Sequence, residues 1–220
     1  MIHPEQFKSW FFDCDGVLLD SNQIKTQGFY EVALPFGHDA AAAIRDYHVS
    51  NGGVSRFKKM SFFITDILKK QFDEKLHKEL TDSYGRYCFN KMIETEETPK
   101  LRNILAKINN KHNCFVVSGG SETELLQIFK IKGMDKYFKG IFGSPRDKMQ
   151  IFSDLLAAGQ IISPAVFVGD SKYDYTVAEK FGLNFIFMTQ FTEFKEWQTF
   201  FANKDVLILK NFAELSFSEK

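Results

Sequence analysis

Trp10-Phe11-Phe12-Asp13-Cys14-Asp15-Gly16-Val17-Leu18-Leu19-Asp20-Ser21 is the stretch on which the reading of this chain turns. Its first three residues are a short continuous apolar run, the pattern of a strand buried on both faces. At the end of that strand, the two-residue period places Asp13 and Asp15 on one side and turns Cys14 away. Two carboxylates are therefore crowded together just before Gly16. Taken alone, D-x-D-G is also an ordinary turn sequence, so the weight falls on what the rest of the chain brings beside it.

Two further apolar runs, Phe115-Val116-Val117 and Ala165-Val166-Phe167-Val168, end in the same way. After the first comes Ser118-Gly119-Gly120, where a hydroxyl and glycine-freed backbone N–H groups at a helix start suit an anionic phosphate. After the second comes Gly169-Asp170-Ser171-Lys172-Tyr173-Asp174. A helix beginning there would carry Asp170 and Asp174 on one face of its first turn. Each segment also has a plain structural reading, as a strand-to-helix turn or a helix cap. Four carboxylates at strand ends would repel one another unless a cation were bound, and hard oxygen ligands suit magnesium. Lys148, at the head of a helix after Gly143-Ser144-Pro145, would add a further positive charge.

Strand, turn and helix alternate through the second half, with Ile141-Phe142 and Leu183 to Phe187 as further strands. Ser121 with Glu124 forms an S-x-x-E capping box, and Ser171 opens a helix closed by Gly182. This pattern predicts an α/β fold with a parallel sheet, whose ligands bind at the carboxyl ends of the strands. Between about Ser21 and Thr98 the rhythm breaks and only helical periodicity remains. Leu76, Leu80, Tyr84 and Tyr87 recur behind an Asp73 cap, and Asp39 and Gly52 bracket another helix. The expected organisation is a core of residues 1–20 and 97–220 carrying an inserted all-α domain of residues 21–96.

Of 220 residues, 28 are Lys or Arg and 28 are Asp or Glu. That leaves no net charge to draw the chain to nucleic acid or an anionic membrane. The 25 phenylalanines are scattered through short apolar segments and read as core. Cys14, Cys88 and Cys114 lack metal-ligand spacing and read as free thiols in a reducing cytoplasm. The first residues lack the apolar run of a secretory signal, and no segment approaches the roughly 18 apolar residues of a membrane span. A cytoplasmic protein is expected.

The four segments together, in this order and each at a strand end or helix head, resemble the four motifs of the haloacid dehalogenase superfamily. Asp13 to Ser21 resembles the first motif, Ser118 the second, Lys148 the third, and the Asp170–Asp174 run the fourth. The helical insertion resembles the small cap of the phosphoglycolate phosphatase and β-phosphoglucomutase branch. Val17, where threonine is common, and the Gly-Gly after Ser118 depart from the pattern without removing a catalytic group. The resemblance implies a Rossmann-like sheet of strand order 5-4-1-2-3 and a small phosphorylated metabolite as substrate. It also implies magnesium as cofactor, with Asp13, Asp15, Asp170 and Asp174 as the metal set, Asp15 through its backbone carbonyl and Asp174 directly or through water.

By the same resemblance Asp13 would be the phosphorylated nucleophile and Asp15 the acid and base. Ser118 would hold a phosphate oxygen, and Lys148 would offset charge. Gly16 and Gly119 are expected to touch substrate. Asp15 argues against dehalogenation, which needs no acid to protonate an alkoxide. A phosphatase is the leading reading, a phosphomutase the runner-up; a phosphate-accepting receiver domain would need neither Asp15 nor the insertion. Within the insertion, the flexible turn Asn51-Gly52-Gly53 leads into Arg56, Lys58 and Lys59. Arg56 is the expected grip on a substrate carboxylate or second phosphate.

Overall fold

The computed structural model describes residues 4–109 and 111–217. Six strands form one parallel sheet: β1 (Ser9–Phe12), β2 (Asn113–Ser121), β3 (Gly140–Ser144), β4 (Ala165–Gly169), β5 (Asn184–Met188) and β6 (Leu207–Leu209). Their order is β3-β2-β1-β4-β5-β6. This is the expected 5-4-1-2-3 arrangement extended by β6, whose three residues are too short to stand out by pattern. β1 lies at the centre, its Phe11 in register with Phe115 on one side and Phe167 on the other. Because every strand runs the same way, the segments after β1, β2, β3 and β4 all emerge at one edge.

The alternation of β1 sorts the core into two layers. Trp10 and Phe12 face one side with Val116, Val168 and Ile186, covered by α5 (Leu101–Ile108) and α6 (Glu122–Ile131). Phe11 faces the other with Phe115, Phe167, Phe185 and Phe187, covered by α7 (Lys148–Ala157), α8 (Lys172–Lys180) and α9 (Trp197–Phe201). The second layer is built largely of rings in contact: Phe11 lies 5.0 Å from Phe152, Phe152 5.1 Å from Phe167, and Phe187 4.8 Å from Phe201. Much of the phenylalanine content is thus core, as expected.

Between β1 and β2 the chain first forms α1 (Asn22–Ala33), α2 (His38–Ser50), α3 (Arg56–Phe62) and α4 (Glu74–Glu94), with no strand among them. Asp73 caps α4, accepting from the backbone N–H groups of Lys75 and Leu76. The start assigned to Asp39 moves: α2 begins at His38, after Gly37, with no side-chain cap. The two connections to the sheet are tied to each other. Asp20 N–H donates to Glu96 O at 3.0 Å and Thr98 N–H to Leu18 O at 3.1 Å, while the Thr98 hydroxyl bonds Val17 O. Entry and exit of the insertion therefore form one paired stalk.

The expected capping box at Ser121 is absent: Ser121 stands at the cap position of α6, but its hydroxyl makes no cap bond. Glu124 faces the insertion instead and takes both terminal nitrogens of Arg56. Arg56 is buried and its guanidinium carbon sits 4.9 Å over the Tyr84 ring. A second, exposed contact, Lys58 Nζ to Asp147 at 2.6 Å, joins α3 to the cap of α7. Among the described residues no helix is long and apolar enough to cross a membrane.

A charged hydrogen bond to a buried partner is worth about 1.5 to 3 kcal/mol, and removing one member of a buried pair strands the other. Glu124→Gln should therefore lower stability by about 1.5 to 3 kcal/mol, read from urea unfolding. An unchanged midpoint would show that the insertion is seated without this pair.

Candidate active site

Asp13 follows β1, its N–H donating to Val168 O at 2.9 Å, which pins it between the ends of β1 and β4. Its carboxylate is buried. One oxygen accepts from Cys14 N–H at 2.7 Å, and the other lies 3.0 Å from Lys148 Nζ. Lys148 is the first residue of α7, behind a full capping box made by Asp147 and Gln150. It is 1 % exposed, so its ammonium needs anions around it. Asp13 supplies one and Asp174, at 2.5 Å, the other. Burial works against the ammonium, but these two carboxylates outweigh it and hold Lys148 above the ordinary lysine value.

Asp170 and Asp174 converge as expected, though by a different local geometry. Asp170 lies outside the helix, in the turn after β4. α8 begins at Lys172 with Ser171 as its cap, and Asp174 is the helix residue that completes the capping box. One Asp174 oxygen accepts from the Ser171 hydroxyl at 2.7 Å while the other meets Lys148. Asp170 accepts from Asn22 Nδ2 at 2.6 Å, a contact from the first turn of α1. Carboxylate oxygens of Asp13, Asp170 and Asp174 all lie within 4.8 Å of one another.

Three buried carboxylates thus share one lysine. The strain is visible in their protonation: burial, partly offset by Lys148, pushes Asp13 up to about 7, with Asp174 and Asp15 adding to the rise. Burial, then Asp13 and Asp174, likewise raise Asp170 well above the usual carboxylate range. A divalent cation with a preference for hard oxygen ligands fits this group, since it supplies the missing charge.

Asp15 stands apart from the trio. Its carboxylate accepts from the Ser21 hydroxyl at 2.5 Å and lies 3.7 Å from the buried Lys25. Ser21, Asn22 and Lys25 were not expected at the site. The helical spacing of Ser21 and Lys25, i and i+4 at the start of α1, was the available signal.

Gly16 has φ +77°, and a side chain there would collide with Asp170 and Asn22. Its place is beneath the carboxylates rather than on the cavity wall. Gly119 does line the cavity, and a Cβ on it would sit 2.6 Å from the carbonyl oxygen of Gly53 in the insertion. Ser118 is fully buried and lies within the strand, not at a helix start; its hydroxyl accepts from Gly120 N–H at 3.0 Å. The register of β2 on β3 shifts between Val117 and Ser121, which carries Gly119 and Gly120 out to the wall. Arg56 also lines the cavity, but the two-nitrogen grip expected for substrate is taken by Glu124.

The cavity measures about 1160 Å³ and is bounded by Asp13, Asp15 and Asp170 below and by α1, α2 and α3 above. A structure of β-phosphoglucomutase from Clostridium difficile superposes with a TM-score of 0.74 over 96% of this chain and 94% of that one, at 16% identity. A predicted phosphoglycolate phosphatase from Haemophilus somnus gives 0.72 over 96% of each chain, at 19% identity. The putative hydrolase YfnB from Bacillus subtilis, solved bound to magnesium, gives 0.65 over 96% and 97%, at 15% identity. At these identities the likeness is one of fold. A search of the curated proteins returned no match. The family model described as haloacid dehalogenase-like hydrolase matches residues 7–182, and the chain belongs to that family.

Proposed function

We propose that the protein is a magnesium-dependent phosphatase of a small phosphorylated metabolite, working through an aspartyl-phosphate on Asp13. The observation that carries this reading is the division of labour among the carboxylates. Asp13 is buried 3.0 Å from Lys148, whereas Asp15 is held separately by Ser21 and Lys25. This separation supports reading Asp13 as a charge-compensated nucleophile and Asp15 as a proton carrier.

Asp13 attacks phosphorus while Asp15 gives its proton to the leaving alkoxide. Asp15 then takes a proton from the water that hydrolyses the acyl phosphate. Lys148 stays charged between Asp13 and Asp174 and opposes the negative charge on the transferring group. The Ser118 hydroxyl, as donor, and the N–H group of Gly119 are assigned to phosphate oxygens. Magnesium, held by Asp13, Asp170 and the Asp15 carbonyl with Asp174 behind it, would supply further positive charge at those oxygens. The insertion, taken as residues 21–96, acts as the cap that shields the site. A phosphomutase would use the same groups, and a structural relative bears that name; inorganic phosphate release against isomer formation separates the two.

Asp13→Asn keeps the shape and loses the nucleophile, so phosphate release from p-nitrophenyl phosphate should fall below detection while the circular dichroism spectrum is retained. Full activity would exclude the covalent route.

Asp15→Asn should cost far more with alkyl than with aryl phosphates, because a phenolate leaves without a proton. Equal losses on both would remove Asp15 as the acid.

Chelation should abolish turnover and magnesium restore it, with calcium a poor substitute because of its looser coordination. A stability effect accompanies this. Asp13 titrates near 7 when folded against an ordinary 3.8, so in metal-free protein its contribution to stability is complete below 3.8 and is lost as pH rises to about 7. Magnesium favours the ionised form and should raise Tm more at pH 8 than at pH 5. Equal shifts at both would detach Asp13 from the metal site.

A further inference from the structure

The cavity is far larger than a phosphate group needs, at about 1160 Å³. Three cationic side chains of the insertion line it: Lys25 on α1, and Arg56 and Lys59 on α3. All three are at least nine-tenths buried, Lys59 being 1 % exposed. Long cations are rarely buried without an anion beside them. Lys25 has Asp15, and Arg56 has Glu124. Lys59 differs from both.

The hydrogen-bond partner of Lys59 is His48, with Nζ 2.7 Å from Nδ1. Burial, followed by the nearby Lys59 and Lys25, keeps that imidazole neutral, so its ring nitrogen accepts and offers no charge. His48 is itself stacked on Phe29 with ring centroids 4.6 Å apart, which fixes where the ammonium is held. Among the described residues no carboxylate lies within ion-pair distance of Lys59. Glu193 attracts it from farther off, but both Glu193 oxygens accept from the Thr26 hydroxyl, at 2.9 and 2.7 Å. Desolvation, only partly countered by Glu193 and Asp15, brings Lys59 down to about 7. Three residues away on the same helix, the Nε–H of Arg56 is buried and has no hydrogen-bond partner. At that spacing the two donors share one face.

We propose, on the basis of the phosphatase reading above, that the substrate carries a carboxylate besides its phosphomonoester, and that Lys59 with Arg56 Nε seats it. Lys25 and Arg56 are already neutralised by protein carboxylates, so one ammonium remains to be matched, and a monoanionic carboxylate matches it where a phosphate dianion would overshoot. The bound carboxylate removes the cost of a buried cation without a contact anion. A neutral analogue leaves that cost in place, which is how such a site discriminates.

The test uses matched pairs differing only in the acid: phosphoglycolate with 2-hydroxyethyl phosphate, 3-phosphoglycerate with glycerol 3-phosphate, and 6-phosphogluconate with sorbitol 6-phosphate. Fructose 1,6-bisphosphate is compared with fructose 6-phosphate as the two-phosphate arm. The wild-type protein should prefer the acid in at least one pair by about ten- to a hundredfold in kcat/KM. Lys59→Met should collapse that ratio toward one, and Lys59→Arg should keep most of it. Calorimetry on the Asp13→Asn protein reads the same preference as binding, without turnover. Release of phosphate at equal efficiency from both members of every pair overturns the carboxylate site and leaves the phosphatase standing. Tighter binding of the acid with no release from any pair does the reverse. A bisphosphate preferred over every acid overturns the choice of carboxylate, and a preference that survives Lys59→Met overturns the role of Lys59.

Discussion

One lysine surrounded by carboxylates governs this molecule. Lys148 is almost wholly buried and meets Asp13 and Asp174 at once. An isolated charge in that position would be prohibitively costly, so lysine and carboxylates must be placed together. The fold provides this by drawing the residues from two strand ends and two helix starts to one edge of a parallel sheet. Asp13, Asp170 and Asp174 carry two more negative charges than Lys148 can balance, and burial together with that mutual repulsion raises the protonation of Asp13 and Asp170. A site left short of positive charge is primed for a cation.

The helical insertion follows the same electrostatic rule with the sign reversed. It brings three buried cations, Lys25, Arg56 and Lys59, to the cavity, and two are satisfied by acids outside the insertion's own helices, Asp15 in the turn after β1 and Glu124 on α6. These pairs therefore position the insertion as well as neutralising it. The paired stalk between residues 17–20 and 95–98 joins the insertion to the sheet, and the Arg56–Glu124 pair ties it to α6. With anionic groups below and cationic ones above, the cavity suits a substrate whose charges are separated along its length.

The aromatic layer beneath the site has a more ordinary task. Phe11, Phe152 and Phe167 pack ring against ring under β1 and β4, and Lys148 Nζ lies 5.6 Å over the Phe167 ring. Stiff side chains packed at close range leave little room for the strand ends to shift. The carboxylates that emerge from those ends are held accordingly.

Much of this was legible in the chain itself. Apolar runs ending in Asp or Gly mark buried strands, because a strand covered on both faces must be apolar throughout and must end where polar groups reach the surface. That rule located Asp13 and Asp170 at strand ends, though Ser118 proved to lie inside β2, and the helical period located the insertion. Hydrophobic periodicity carries no record of partners far apart in sequence. Glu124 was read as a local cap for Ser121, yet it bonds Arg56, 68 residues earlier, a partner that only the packed insertion brings within reach. Lys59 was read only as one of the basic cluster after the Asn51-Gly52-Gly53 turn, and it is packing against Phe29 and His48 that buries it. Residue types and their order thus determined which groups were available for chemistry. The tertiary structure alone decided which charges would be neutralised by the protein and which would be left for a ligand, since burial and pairing belong to the assembled fold and not to any segment of it.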